Sequence, residues 1–113
     1  MKKKTKEKSF FNEVVDTVFS KYSGDEKVEI LKKHLTPQMI KVLENKDLIE
    51  TIDAFMDNNL NISETSRNMF MHRNTLLYRI NKIRRVANIN LRNFEEAVAF
   101  RLLEVLYKEV YKK

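Results

Sequence analysis

The residues best suited to bind another molecule lie in one short segment between Ile62 and Asn93. This segment holds seven of the 22 Lys and Arg residues but only one of the 16 Asp and Glu residues, Glu64. Its net charge is therefore +6, equal to that of the whole chain, because the remaining 15 basic and 15 acidic residues cancel. A charge excess confined to one segment is typical of a surface that binds a polyanion, and double-stranded DNA is the first candidate.

A helix predicted over residues 73–87 carries side chains that can read base pairs. At roughly 100° per residue, apolar residues from Leu76 to Ala87 share one face, and the opposite face is polar and basic. In a major groove asparagine pairs with adenine, arginine pairs with guanine, and a threonine methyl group or a tyrosine ring contacts thymine. The second helix of a helix-turn-helix inserts its N-terminal part into this groove. The residues expected to contact bases are Arg73, Asn74, Thr75 and Tyr78.

A second set of polar residues surrounds this helix and is expected to contact the DNA backbone. Ser63 and Thr65 begin a shorter helix and are expected to act first as helix caps, while His72 fits a phosphate or base contact and a structural cap equally well. Thr75 fits both a cap and a base contact. The residues expected to contact phosphates are Ser63, Thr65, His72, Arg79, Lys82 and Arg85.

The composition argues against catalysis, cofactors and metals. With no Cys and two distant His residues a metal site is not expected, and a single Gly excludes a phosphate-cradling glycine loop. No Ser, His and acid set stands in a recognisable catalytic context, so we expect a non-enzymatic protein that needs no cofactor. No apolar run approaches ~18 residues and no secretory signal is evident, which predicts a cytoplasmic protein without membrane contact.

The elements that must position the basic segment are all predicted to be helices. We expect a disordered basic tail over residues 1–8, N-terminal helices over 9–45, and a helix-turn-helix DNA-binding domain over 46–113. Asn88 is expected to end the long helix, since Asn tolerates the left-handed conformation of C-terminal caps. The residues expected to cap the other helices at their N-termini are Ser9, Asp25, Thr36, Asp47, Ser63 and Asn93.

Three runs of sequence carry a resemblance to a known family: DLIETI at 47–52, NLNISET at 59–65 and above all HRNTLLYRI at 72–80. Because of these three runs, residues 47–107 resemble the C-terminal helix-turn-helix domain of purine-catabolism (PucR-type) and sugar-diacid (CdaR-type) transcriptional regulators. The resemblance implies sequence-specific DNA binding and an all-α fold similar to the factor-for-inversion-stimulation group. This chain departs from the family at Ser66, where Ala is usual, and at Asn88, where Gly is usual. Its first 45 residues do not resemble the family's sensory region, so an effector does not carry over.

The last predicted helix, from Phe94 to Tyr111, is apolar around most of its circumference. Such a helix is buried on more than one side, either by the N-terminal Phe and Val helix or by a second subunit. We expect a homodimer held by the first and last helices, with Phe100 and Tyr107 in the interface, which would suit an inverted-repeat site. Two alternatives remain open: a protein-interaction module that uses these apolar helices, and a protein that binds structured RNA.

Overall fold

The computed structural model describes residues 9–112, and every regular element in that range is an α-helix, which confirms the predicted all-α class. The predicted basic tail lies outside the described residues. None of the helices described is long and apolar enough to cross a membrane. The helices are α1 (Phe10–Phe19), α2 (Gly24–His34), α3 (Pro37–Leu43), α4 (Lys46–Asp57), α5 (Ile62–Asn68), α6 (Arg73–Ala87) and α7 (Phe94–Tyr111).

Each helix begins at a polar side chain that accepts a hydrogen bond from a free backbone N–H of its first turn. The predicted caps Ser9, Thr36 and Asn93 are confirmed, each accepting from the N–H three residues later. Thr36 is followed by Pro37, whose missing N–H removes a donor that would otherwise lack a partner. These local signals set the starts of α1, α3 and α7.

Three predicted caps are wrong, each by two residues. Ser23 caps α2 and forms a reciprocal capping box with Glu26, so the helix already begins at Gly24. The acidic residues chosen from the sequence for α2 and α4 lie inside the first turn instead, where their charge favours the positive end of the helix dipole. The observed caps are Ser23, Asn45 and Asn61, in place of Asp25, Asp47 and Ser63.

The long helix α6 is held on three sides. It packs against α3, α4 and α5, while α2 packs across α7. Its predicted buried face is confirmed, because Leu76 and Ile83 are fully buried and Ile80 nearly so. Asn88 ends α6 with φ 59° and ψ 36°, and its N–H donates to the carbonyl oxygen of Arg84, which confirms the predicted left-handed cap.

One core runs through the molecule. Leu31, Val42 and Leu43, from the predicted N-terminal segment, are buried in the same cluster as the apolar faces of α4, α6 and α7. Phe100 is 1% exposed and Tyr107 is 8% exposed within this core. The prediction that these two side chains face a second subunit is therefore wrong, because the chain's own helices already cover them.

Candidate nucleic-acid interface

Helices α5 and α6 pack against each other and are joined by a tight turn. The N–H of Met71 donates to the carbonyl oxygen of Ser66 at 2.9 Å, and the N–H of Phe70 donates to that of Arg67 at 3.2 Å. These two bonds form a Schellman motif, which turns the chain sharply at the end of α5. The direction in which α6 leaves α5 is thus fixed by backbone hydrogen bonds.

Phe70 occupies an unusual position in this turn, and this position was not predicted from the sequence. Its φ is +53°, the left-handed region that Gly or Asn usually fills at this point of the motif. A side chain there costs about 1–2 kcal/mol of steric strain. The ring is also 97% exposed, so packing within the chain does not offset that cost. The signal in the sequence was the absence of Gly or Asn after the short helix α5. The position that must adopt the left-handed conformation is occupied by the bulky Phe70 instead.

The start of α6 is fixed by two side chains of the predicted site. His72 is the N-cap, and its Nδ1 accepts a hydrogen bond from the N–H of Asn74 at 3.0 Å. Because Nδ1 accepts, the ring proton of the neutral imidazole lies on Nε2, which leaves one donor for a ligand. Nη1 of Arg73 donates to Oγ of Ser63 at 3.2 Å, which ties the start of α6 to the start of α5. Thr75 is not a cap.

The four residues predicted to contact bases are all exposed; Asn74, Thr75 and Tyr78 lie opposite the buried face of α6, and Arg73 flanks that face at the start of the helix. Arg73, Asn74 and Thr75 form the exposed first turn of α6, and Tyr78 follows with 57% of its surface exposed. The guanidinium carbon of Arg85 lies 5.7 Å from the centre of the Tyr78 ring, within the range of a cation–π contact. Because the apolar face of α6 is buried in the core, the helix is supported along its length while its polar residues remain accessible.

Two residues predicted to contact phosphates have partners within the fold. Thr65 is fully buried, and its hydroxyl donates to the carbonyl oxygen of Asn61 at 2.7 Å. The prediction for Thr65 is therefore wrong, because its side chain packs inside the chain and does not reach the surface. Arg79 is half-buried, and its Nη1 donates to the hydroxyl of the buried Thr51 at 3.2 Å. The guanidinium has further N–H groups, so this bond positions Arg79 without using all of its donors.

A second charged cluster, formed by Asp53, Arg101, Glu104 and Lys108, lies between α4 and α7. Glu104 is 2% exposed, and its carboxylate lies 3.0 Å from Nζ of Lys108 and 3.5 Å from Nε of Arg101. Burial, reinforced by the neighbouring Asp53 carboxyl group, raises the pKa of Glu104 to about 7. The cluster borders a cavity of about 290 Å³. Within residues 9–112 no group of His, Cys, Asp and Glu side chains is arranged to hold a metal ion.

The α5–turn–α6 unit, with its buried rear face and its polar, basic front face, has the geometry of a helix-turn-helix of the DNA-binding class. Residues 48–103 match the family model of the PucR C-terminal helix-turn-helix domain. This part of the chain is such a domain, as the sequence resemblance predicted, and domains of this class bind DNA in transcription regulators.

Two curated proteins show how far the similarity extends. The purine catabolism regulatory protein of Bacillus subtilis (strain 168) is 33% identical over 79 residues, which cover 66% of this chain. The carbohydrate diacid regulator of Escherichia coli (strain K12) is 36% identical over 58 residues, which cover 50% of this chain. The aligned part of this chain spans only 15% of each of these two relatives. No solved structure matches the chain significantly.

Proposed function

We propose that this chain reads a specific duplex DNA sequence for a transcriptional regulator, with α6 in the major groove. One observation carries the proposal: the first two turns of α6 expose all four predicted base contacts, Arg73, Asn74, Thr75 and Tyr78, while the apolar face of the same helix is buried. A helix that reads bases needs its polar side chains held in fixed positions. The hydrogen bonds at the start of α6 hold this helix in place.

The proposed base contacts follow from the chemistry of these side chains. Arg73 offers a fork of donors to the two major-groove acceptors of guanine, and Asn74 offers one donor and one acceptor to adenine. The Thr75 methyl group and the Tyr78 ring offer apolar contacts to a thymine methyl group. The bond between Arg73 and Ser63 orients the arginine in the free protein, so less side-chain freedom is lost on binding.

The proposed phosphate contacts are Ser63, His72, Arg79, Lys82 and Arg85, without Thr65. His72 contributes the Nε2 proton left free by its capping bond. Lys82 and Arg85, farther along α6, each contribute a positive charge for a phosphate. The cation–π contact with the Tyr78 ring orients the Arg85 side chain. These contacts supply affinity for any duplex, while the base contacts supply preference.

This arrangement favours duplex DNA over structured RNA. The deep, narrow major groove of A-form RNA does not admit a helix, and single-stranded RNA is read largely by stacking on aromatic rings. Tyr78 is the only aromatic side chain of α6, and Arg85 lies over its ring. We further propose that the protein acts as a homodimer on an inverted-repeat site, without a catalytic role.

A set of alanine variants tests the assignment of base contacts. A binding site is first selected from a random duplex pool, and affinities for this site and for random duplex are then measured. Arg73→Ala, Asn74→Ala and Tyr78→Ala are each expected to weaken binding to the selected site by about 1–3 kcal/mol and to relax preference at one or two positions. Binding to random duplex should change little.

Lys82→Ala is the matched control on the same helix. It should weaken binding to the selected site and to random duplex by about the same factor, because a phosphate contact carries no sequence information. If all three base-contact variants behaved like Lys82→Ala, with equal losses on both duplexes, the assignment of base contacts to the start of α6 would be wrong.

A further inference from the structure

Phe70 combines a strained backbone with a bulky side chain that the fold leaves in solvent. Four residues between 9 and 112 have a left-handed backbone without being glycine, and two of them are Asn, which tolerates it. The third, Leu60, has φ 60°, and its side chain is partly buried against the core. Phe70 is 97% exposed and lacks such packing. Because strained residues that do not contribute to folding cluster at functional sites, the Phe70 ring points to a binding partner.

The turn that carries Phe70 is anchored on both sides. Before it, the side-chain amide of Asn68 donates to Oδ1 of Asn58 at 2.6 Å, which ties the end of α5 to the end of α4. After it, the Met71 side chain is partly buried against the core. The ring between these two anchors is thus presented to solvent from a fixed position. A contact made by the ring therefore requires little further loss of backbone freedom.

Phe70 lies at the edge of the proposed DNA interface. It precedes His72 by two residues, so their Cα atoms are at most about 7 Å apart. His72 is the residue that offers its free Nε2 proton to a phosphate. No acidic residue occurs between Glu64 and Glu95, and Glu64 itself pairs with Arg67 at 3.0 Å. A DNA backbone that passes the start of α6 therefore comes within reach of the ring and meets no repelling charge.

The chemistry of the ring limits what it can contact on a duplex. A phenyl ring has no hydrogen-bond donor or acceptor, so its counterpart is either the C–H face of a deoxyribose or the methyl group of a thymine. The nearest proposed contact along the chain is that of His72 with a phosphate, whereas the first proposed base contact, Arg73, lies farther along. Because each phosphate of the backbone is flanked by sugars, this placement favours a deoxyribose.

We propose that the Phe70 ring packs against a deoxyribose of the DNA backbone, beside the phosphate that His72 contacts. This inference rests on the proposed function and adds an uncharged contact to it. Such a contact contributes affinity for any duplex and no preference for a sequence. A Gly or Asn at this position would make the free protein more stable, so the strain at Phe70 favours DNA binding at the expense of stability.

Two variants remove the ring and keep a residue that suits the left-handed turn, Phe70→Asn and Phe70→Gly. Each should weaken binding to the selected duplex and to random duplex by the same factor, about tenfold, as expected for the loss of a partly buried apolar contact. The slope of log affinity against log salt should not change, because no charge is lost. In urea denaturation both variants should be at least as stable as the unmodified protein, so the weaker binding does not result from unfolding.

Two further variants serve as controls. Phe10→Ala is the matched control, because Phe10 is 82% exposed on α1, outside the basic segment. Its affinity for both duplexes should equal that of the unmodified protein. Phe70→Leu keeps an apolar side chain at the turn, and it should bind both duplexes more tightly than Phe70→Asn does.

The outcomes that would overturn the inference are distinct from those that bear on the proposed function. Unchanged affinity of Phe70→Asn for both duplexes, a changed salt slope, or a loss confined to the selected duplex would each overturn the deoxyribose contact. A change in the mass of Phe70→Asn, measured by sedimentation without DNA, would assign the ring to a contact between copies and overturn it as well. These results leave the proposed function intact. An unmodified protein that binds both duplexes equally would overturn the proposed function, whereas an equal loss in Phe70→Asn would still support the contact.

Discussion

Replacement of Glu104 by Gln is expected to stabilise the protein near and above neutral pH. In the folded chain this carboxyl group is removed from water and faces the carboxyl group of Asp53, with Arg101 and Lys108 as its positive neighbours. Burial is the largest cause of its raised pKa, which lies near 7 rather than at 4.5. A Gln side chain has the same shape, carries no charge, and can donate a hydrogen bond to Asp53.

The size and sign of the effect follow from the pKa. A carboxyl group with a higher pKa in the folded protein than in the unfolded chain binds its proton more tightly when folded. The free energy of unfolding is therefore highest below pH 4.5 as far as this group is concerned, and it falls as the pH rises to about 7. A difference from 4.5 to about 7 corresponds to ~3 kcal/mol at ~1.4 kcal/mol per pH unit.

Urea denaturation at a series of pH values between 5 and 8 measures this effect. The unmodified protein should lose stability across the series, and Glu104→Gln should remove most of that loss and be the more stable protein at pH 8. Glu29→Gln, at an exposed carboxylate on α2, is the matched control and should keep the slope of the unmodified protein. A Glu104→Gln variant less stable at every pH would show that the ion pairs with Arg101 and Lys108 outweigh burial.

Three further substitutions have defined outcomes. Phe70→Gly should raise the free energy of unfolding by about 1 kcal/mol, because it removes left-handed strain at a ring that packs on nothing; a loss measured by urea denaturation would contradict this. Asn88→Ala should lose about 1 kcal/mol at φ 59°, whereas Asn88→Gly should be nearly neutral, and equal losses for both would count against the cap. Lys82→Ala and Arg85→Ala should each reduce the slope of log affinity against log salt by about 0.9. An unchanged slope would remove that residue from the phosphate contacts.

Local sequence signals were sufficient to predict the long helices and their buried faces. The predicted bounds of α6 and α7 and the predicted cap at Asn88 match the structure. They were predictable because the spacing of apolar residues and the capping residues are local features of the sequence. The start of α2 was less well determined, since Ser23 and Asp25 are both good caps two residues apart. The capping box between Ser23 and Glu26 selects the earlier residue, and the Ser-x-x-Glu pattern of residues 23–26 is its signature in the sequence.

Site residues were predicted correctly where their exposure follows from the periodicity of a single helix. The predictions were wrong where exposure depends on how the helices pack against one another. The exposed start of α6 follows directly from its apolar face. Thr65 was misjudged because its burial depends on how α5 packs against α6, and Phe100 because α2 packs across α7. The exposed ring of Phe70 went unnoticed because the Schellman turn that holds it depends on hydrogen bonds that the sequence does not display.

The most direct test of the central claim is a competition measurement on the unmodified protein. A labelled duplex selected from a random pool is displaced, at physiological salt, either by the same unlabelled duplex or by one with identical base composition in shuffled order. A protein that reads bases through α6 should require about 10³-fold or more of the shuffled duplex. Asn74→Ala should lose a large part of that ratio. Equal competition by the two duplexes would contradict sequence-specific reading and leave only the attraction of a basic surface for phosphate.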